Sequence, residues 1–277
     1  MSERIITVED LCFQYPGRTI NALNNINLEI EAGEFVAIIG QNGSGKTTLI
    51  KHFNGLLKPS KGKVVVKGQE TTSMRTAELA KSIGYVFQNP DHQIFAETVR
   101  DEIAFGPKNL GFSEERINSE IERVLKEMDL HIDLEEMPFQ LSRGQRQRLA
   151  VASVLAMEPS ILIIDEPTTG QDWKESILLM NLVKGLNDKG HTCIVTTHNM
   201  NLVSLFARRV IVMKSAKVFL DGPTQDVFRR EQELLTAGIK APDVYLLART
   251  LIPEIQLDKP LTPEGLAEIL QHQPGIG

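Results

Sequence analysis

Apolar and polar residues alternate over the first third of the chain and are then replaced by continuous apolar runs. The alternation over "IITVEDLCFQ" (5–14) and "ALNNINLEIE" (22–31) predicts strands with one buried face. Continuous apolar runs, separated by segments with a helical pattern, occur in "EFVAIIG" (34–40), "SIGYVFQ" (82–88), "SILIIDE" (160–166) and "HTCIVTTH" (191–198). Buried strands that alternate with helices predict an α/β fold with a parallel sheet covered on both faces.

Two stretches depart from this alternation. Residues 89–157 include "FSEERINSEIERVLKEMDL" (112–130), which is charged and has a helical period, so we predict a mostly helical insertion on the sheet core. Residues 231–277 contain amphipathic pieces separated by prolines, which predicts a C-terminal helical extension. The main domain is predicted to occupy residues 1–230.

Composition and charge restrict the classes of function. The chain has 277 residues, 42% of them hydrophobic, and a net charge of −6, which argues against a polyanion-binding surface as its main role. Cys12 and Cys193 lie far apart near apolar runs, so we interpret them as core thiols in a reducing cytoplasm. The stretch "MSERIITVED" (1–10) contains no apolar h-region, so we do not expect export, and the apolar runs are far shorter than the roughly 20 residues of a membrane helix. Any membrane role is therefore expected to require a partner.

The segment "GQNGSGKT" (40–47) fits the pattern G-x-x-x-x-G-K-[ST] between a predicted strand and a predicted helix. Its glycines let consecutive backbone N–H groups point at a phosphate at the N-terminus of the helix. Lys46 adds a positive charge at the β- and γ-phosphates, and the Thr47 hydroxyl is suited to ligate Mg²⁺. The predicted nucleotide-binding residues here are Gly40, Gln41, Asn42, Gly43, Ser44, Gly45, Lys46, Thr47 and Thr48.

The run "ILIIDE" (161–166) places two carboxylates at the end of a buried strand. Ligands of open α/β sheets bind at the carboxyl ends of the strands, where the phosphate loop also emerges. Asp165 is suited to hold Mg²⁺ through water, and Glu166 is suited to orient and activate a water for attack on the γ-phosphate. The alternative is an acidic pair that only caps a turn or a helix.

The segment "LSRGQ" (141–145) resembles the LSGGQ signature of ATP-binding-cassette (ABC) ATPases. In the order and spacing of its motifs, the whole of residues 5–228 resembles one cassette. The resemblance implies a P-loop NTPase fold with a mixed sheet core, an N-terminal antiparallel β subdomain and a helical subdomain. It also implies binding and hydrolysis of ATP with Mg²⁺.

Several single residues match positions of that family. Tyr15 resembles the aromatic residue that stacks on adenine, with core packing as the alternative. Gln88 in "GYVFQNP" resembles the Q-loop glutamine, which contacts Mg²⁺ and the attacking water. His198 resembles the switch histidine that contacts the γ-phosphate, and Asp172 matches the D-loop aspartate. The resemblance thus implies catalytic roles for Glu166, His198 and Gln88, and a metal site of Thr47, Gln88 and Asp165.

The signature lies at the start of a predicted helix, whose free N–H groups favour an anion. In ABC ATPases that anion is the γ-phosphate of ATP held by a second subunit, so Ser142, Gly144 and Gln145 are expected to bind nucleotide across a head-to-tail dimer. Arg143 replaces the usual first glycine. Two interpretations of Arg143 stay open, namely added charge near the phosphate or a side chain that faces solvent without a role.

The D-loop also departs from the family pattern. The family reads S-x-L-D-P, whereas this chain reads "TTGQDW" (168–173), with Gln171 for leucine and Trp173 for proline. The D-loop crosses the dimer interface in the family, so the change bears on the choice of partner. It leaves the hydrolytic residues intact.

The stretch "FQNPDHQIFAETVRDEIAFGPKNLGF" (87–112) resembles the ATPases of energy-coupling factor transporters, which import cobalt, nickel and vitamins. In that group the segment includes a helix that docks coupling helices of a transmembrane partner; an ordinary solvated helix is the alternative. The C-terminal extension resembles the segment that helps to hold two such ATPases together. The implied partners are a second ATPase, of the same or a related chain, a transmembrane energy-coupling subunit and a substrate-binding membrane subunit. The implied location is peripheral, on the cytoplasmic face of the cell membrane.

Two alternative functions stay open. One is the ATPase subunit of another type of ABC transporter, and the other is a soluble ABC ATPase that acts on nucleic acid or ribosomes. The second alternative is disfavoured because the chain has a single cassette, a net charge of −6 and no coiled-coil arm. The transported substrate and the choice between homodimer and heterodimer stay open.

Overall fold

A computed structural model describes residues 3–252 and 261–272. It contains two sheets, a group of helices between residues 90 and 155, and helices of the C-terminal extension. The strands are β1 (Arg4–Phe13), β2 (Leu23–Glu31), β3 (Phe35–Ile39), β4 (Lys61–Val66), β5 (Gln69–Glu70), β6 (Ile83–Val86), β7 (Ile161–Asp165), β8 (Thr192–Thr196), β9 (Arg209–Lys214) and β10 (Lys217–Pro223). The helices are α1 (Lys46–Phe53), α2 (Thr76–Leu79), α3 (Val99–Asn109), α4 (Glu114–Glu127), α5 (Arg143–Leu155), α6 (Trp173–Asp188), α7 (Met200–Phe206), α8 (Thr224–Arg229), α9 (Glu231–Thr236), α10 (Asp243–Leu251) and α11 (Pro263–His272).

The central sheet has six strands in the order β10-β9-β3-β8-β7-β6. Strands β9, β3, β8, β7 and β6 are parallel, and β10 is the antiparallel edge strand paired with β9. Every residue of β3, β7 and β8 is buried, as a sheet covered on both faces requires. The carboxyl ends of these parallel strands lie at one edge, and this edge carries the candidate site.

The second sheet is antiparallel, with the order β2-β1-β4-β5. Burial alternates along β2, as its sequence predicts, since one face packs on the core and the other meets solvent. Its inner face, including Leu11, Ile26 and Val64, packs with Leu49 and Ile50 of α1 in one apolar cluster. This packing fixes α1, and with it the phosphate loop, between the two sheets.

Helices α3, α4 and α5 pack on one another over a second cluster that includes Ile103, Ile121 and Leu149. Ser113 begins α4 by accepting a hydrogen bond from the backbone N–H of Arg116. These three helices agree with the prediction that residues 89–157 are mostly helical.

The extension packs against the central sheet rather than standing apart from it. Leu234, Ile239 and Tyr245 share an apolar cluster with Ala37 of β3 and Val210 of β9. The division of the chain at residue 230 stays a prediction, and residues 253–260 and 273–277 of the predicted extension lie outside the described residues.

The two thiols differ in burial. Cys193 is fully buried in β8, and burial raises its thiol pKa to about 12, so the prediction of a core thiol is confirmed there. Cys12 is only half-buried, and its Sγ accepts a hydrogen bond from the backbone N–H of Asn25, so it is not a core residue.

Candidate nucleotide-binding site

The phosphate loop, residues 40–47, connects the end of β3 to α1. Gly40 and Gly45 have φ angles of 153° and 108°. A Cβ atom on Gly40 would lie 2.4 Å from the carbonyl oxygen of Met213, and one on Gly45 would lie 2.7 Å from that of Ala22. These two positions therefore require glycine both for conformation and for space.

Lys46 begins α1, and its side chain is buried against the phosphate loop. Its Nζ donates hydrogen bonds to the carbonyl oxygens of Gly40, at 2.8 Å, and Gln41, at 3.3 Å. It also lies 3.9 Å from Oε1 of Glu166. The ammonium group is thus held where the loop bends, with a buried carboxylate beside it.

Asp165 ends β7 and is bonded from three sides. Its Oδ1 accepts hydrogen bonds from the hydroxyls of Thr47, at 3.2 Å, and Thr196, and its Oδ2 accepts one from the Tyr85 hydroxyl at 3.1 Å. Burial and the negative charge of Asp165 raise the pKa of Tyr85 far above its ordinary value, so Tyr85 stays a donor. Since Mg²⁺ prefers oxygen ligands and takes others from water and phosphate, the pair Thr47–Asp165 fits this ion.

Glu166 follows immediately and has a left-handed backbone, with φ 48°. Its N–H donates to the carbonyl oxygen and to the hydroxyl of Thr196, at 3.0 and 2.9 Å. Its buried carboxylate contacts Nδ1 of the exposed His198 at 2.7 Å. A carboxylate and an imidazole are therefore paired beside the phosphate loop.

A cavity of about 780 Å³ opens over this edge of the sheet. It is lined by phosphate-loop residues, by Gln88 after β6, by Glu166 and Thr169 after β7, and by His198 after β8. Three further lining residues come from the extension, namely Gly238, Ile239 and Lys240. The structure thus brings Gln88, Glu166 and His198 together with the loop in one chain.

Tyr15 does not line this cavity but lies beside α1. Its hydroxyl is 3.2 Å from Oγ1 of Thr48, its ring packs edge-on against Phe13 with centroids 4.9 Å apart, and 38% of the residue is exposed. An exposed ring anchored beside α1 is suited to stack on a base, and the role in adenine binding stays a prediction.

The signature residues do not line this cavity. Ser142 caps α5 by accepting from the backbone N–H of Gln145, whose side chain accepts from the N–H of Ser142. Arg146 bonds to Asp91 at 2.8 Å, and Arg148 donates to the carbonyl oxygen of Asp129 at 2.6 Å. These two arginines therefore have partners within the chain.

A separate apolar groove of about 670 Å³ runs beside α3. The rings of Phe95 and Phe105, both more than half exposed, meet edge to face there with centroids 4.7 Å apart. Beneath them the buried carboxylate of Glu102 accepts hydrogen bonds from the backbone N–H groups of Phe95 and Ala96, both at 3.0 Å. The carboxylate thereby fixes the loop that enters α3.

The sequence did not reveal several residues of the site. Thr196 and Tyr85 support Asp165, and Gly238 touches the phosphate loop across almost 200 residues of chain. Thr196 lies opposite Asp165 at the ends of the parallel strands β8 and β7, so the pairing of these two strands would have predicted this contact. Tyr85 and Gly238 belong to no motif.

Gly238 offers a test of the contact between the extension and the phosphate loop. It has φ +67°, and a Cβ atom there would lie 1.7 Å from Nε2 of Gln41. We expect Gly238→Ala to displace Gln41 and to weaken ATP binding by about threefold. The substitution also introduces backbone strain of about 1–2 kcal/mol, because an alanine must adopt the left-handed conformation. Fluorescent nucleotide titration measures the affinity.

Gly68→Ala is the matched control, because Gly68 has φ +77° with nothing within 4 Å. It carries the same backbone strain without the contact. Equal nucleotide affinity in the two variants would show that the contact has no effect on the loop.

A glycine-rich loop, a strand-end carboxylate pair and a histidine at one sheet edge define a P-loop nucleotide-binding protein. The chain belongs to the ABC transporter family, whose model matches residues 23–169. It is 42% identical over 256 residues to the energy-coupling factor transporter ATP-binding protein EcfA2 of Acetivibrio thermocellus, and the alignment covers 91% of each chain. The predicted family resemblance is therefore confirmed.

Solved structures agree with this assignment. The chain is similar to cbiO1 from Clostridium perfringens, described as part of the ABC transporter complex cbiONQ, with TM-score 0.77, 36% identity and coverage of 88% of this chain and 98% of that chain. It is also similar to the ATP-binding cassette MJ0796 in a dimeric post-hydrolysis state bound to ADP and Pi, with TM-score 0.70, 32% identity and coverage of 79% and 99%. The predicted ABC cassette fold is confirmed.

The chain spans between 37% and 43% of the length of three other curated relatives, from Caldanaerobacter subterraneus subsp. tengcongensis and two Methanosarcina species. Within residues 3–252 and 261–272, none of the helices has the length and hydropathy needed to cross a membrane.

Proposed function

We propose that this chain is the ATP-binding and ATP-hydrolysing subunit of an energy-coupling factor type ABC importer. It would power uptake of a vitamin or a transition-metal micronutrient through membrane partner subunits. The observation that carries the proposal is the meeting of Lys46, Asp165 and the Glu166–His198 pair at one edge of the sheet. The similarity to EcfA2 over nine tenths of both chains supports this type of transporter.

The residues at this edge of the sheet have different roles in ATP binding and hydrolysis. The phosphate-loop amides and Lys46 hold the phosphates of ATP. Thr47, Asp165 and Gln88 would hold Mg²⁺, which when bound supplies positive charge that neutralises the phosphate oxygens. Glu166 orients a water for in-line attack and takes its proton, while His198 holds the Glu166 carboxylate in place at 2.7 Å.

A second cassette, of the same or a related chain, would complete each site. Ser142, Gly144 and Gln145 lie at the start of α5, away from the cavity of their own chain. Ser142 is exposed and Gly144 is buried under Glu175, so the exposed side of this helix start is where the nucleotide of a partner would bind. The dimeric form of MJ0796 supports this arrangement.

The groove beside α3 is the proposed docking place of the transmembrane energy-coupling subunit. Its exposed Phe95 and Phe105 form an apolar surface suited to a short helix of a membrane partner. Docking there would hold the chain at the cytoplasmic face of the cell membrane as a peripheral subunit. A separate membrane subunit would bind the transported substrate.

The experiment that tests the transporter assignment is co-purification with a tagged energy-coupling transmembrane subunit. We expect Phe105→Asp to reduce recovery of the chain at least tenfold, because a charge in the apolar groove must be desolvated on docking. ATP hydrolysis by the isolated chain should change by less than about twofold, since Phe105 lies away from the nucleotide cavity.

Leu56→Asp serves as the control, because Leu56 is a similarly exposed apolar residue outside the groove. Retention of Phe105→Asp at the level of this control would argue for a different docking surface. ATPase activity with no binding to such a membrane subunit would favour another type of ABC transporter. Stimulation by RNA or DNA would favour the soluble alternative.

A further inference from the structure

The Arg143 side chain is exposed, but its guanidinium folds back onto its own chain. Its Nη2 donates a hydrogen bond to the carbonyl oxygen of Thr169 at 2.8 Å. Its guanidinium lies flat against Gly170, where an added Cβ would be within 2.9 Å of Cζ and both Nη atoms. Both contacts fall on the loop that follows the catalytic carboxylate, residues 166–172.

Loop 166–172 has few other internal restraints. Its backbone hydrogen bonds run from Thr169 N–H to Glu166 and from Gln171 N–H to Thr168, both at 3.2 Å. Within the described part of the chain, Oγ1 of Thr169 and Oε1 of Gln171 are buried without a hydrogen-bond partner. The charge-assisted bond from Arg143 therefore restrains the middle of a loop whose two ends are held by Glu166 and Asp172.

A second contact joins the start of α6, which follows this loop, to the start of α5. The Glu175 side chain, in the first turn of α6, lies over Gly144 of α5, where an added Cβ would be 2.4 Å from its Oε2. Asp172 ends the loop and caps α6 by accepting from the N–H of Glu175 at 2.8 Å. The start of α5 and loop 166–172 are thus held together at both ends.

We propose that Arg143 is a positioning residue that clasps loop 166–172 from its outer side. Thr169 lines the nucleotide cavity on the inner side, and Glu166 begins the loop, so the clasp fixes one wall of the cavity and the base attached to it. A glycine in the place of Arg143 could not make either contact. A lysine could reach the carbonyl oxygen but has no flat surface for Gly170.

The clasp can be tested by hydrogen exchange on the full chain without nucleotide. We expect amides of residues 166–172 to exchange at least about fivefold faster in Arg143→Ala, and by an intermediate factor in Arg143→Lys. Arg116→Ala is the matched control, because Arg116 is an exposed, ion-paired arginine in the first turn of α4. Unchanged exchange in Arg143→Ala would overturn the proposal, and a lysine variant identical to the original chain would overturn the role of the planar group.

The effect on turnover rests on the proposed ATPase function, whereas the exchange experiment does not. For Arg143→Ala we expect the kcat of ATP hydrolysis to fall about three- to tenfold, with ATP affinity of the monomer unchanged because the phosphate loop is untouched. An equal loss of affinity and turnover would contradict a positioning role. Faster exchange in a chain that never hydrolyses ATP would support the clasp and reject the proposed function.

Discussion

Glu166→Gln is expected to bind ATP with nearly normal affinity and to lose turnover by at least about 100-fold, because general-base catalysis contributes about 10²–10⁴. The carboxylate is buried, 2.7 Å from Nδ1 of His198 and 3.9 Å from Nζ of Lys46, so it is positioned to act on a water beside the γ-phosphate. Glutamine keeps the shape and can still bond to His198, but it cannot accept a proton. Phosphate release measured at saturating MgATP gives the turnover.

The substitution also predicts a change in assembly. If hydrolysis is what releases a nucleotide-bound dimer, the Glu166→Gln chain should accumulate as a dimer with MgATP and not without it. Light scattering after size exclusion measures the mass. A monomer that still binds ATP would indicate that the second cassette is a different chain.

Glu158→Gln is the matched control for both measurements. Glu158 also has a left-handed backbone, with φ 56°, and its carboxylate is paired with Arg116 on the surface, far from the cavity. It should hydrolyse ATP at the normal rate. If Glu166→Gln retained turnover within about threefold of this control, Glu166 would not be the base.

The residues predicted from the sequence are those that a contiguous motif carries. Residues 40–47 and the pair Asp165–Glu166 could be predicted because local backbone geometry and strand ends decide where such groups point. His198 was identified from its resemblance to the switch histidine, and it lies two residues after β8, the strand beside β7. The central sheet was predictable for the same reason, since buried parallel strands have continuous apolar sequences.

Contacts between distant parts of the chain could not be predicted in this way. The Arg143 side chain reaches Thr169 only after the packing of α5 and α6 has brought these two residues together. The sequence alone left two other interpretations of Arg143 open. Likewise, the buried carboxylate of Glu102 resembles any polar residue of an amphipathic helix until the loop before α3 folds over it. Side-chain direction at such positions follows from tertiary packing rather than from the pattern.

Lys46→Ala is expected to weaken ATP binding by about 100-fold, because truncating one partner of a buried, hydrogen-bonded charge pair typically costs about 2–5 kcal/mol. The ammonium is buried and already bonded to the carbonyl oxygens of Gly40 and Gln41, so it is held in place before nucleotide arrives. Alanine removes the charge at the β- and γ-phosphates and leaves these two acceptors without their donor.

Fluorescent nucleotide titration measures the loss, and thermal unfolding checks that the chain stays folded. Lys51→Ala is the control, because Lys51 lies in the last turn of the same helix, α1, rather than at its start beside the phosphate loop. Its affinity should match that of the original chain. If Lys46→Ala bound ATP within about threefold of the Lys51→Ala control, the backbone amides of residues 40–47 would provide most of the phosphate binding, and the lysine would serve mainly to shape the empty loop.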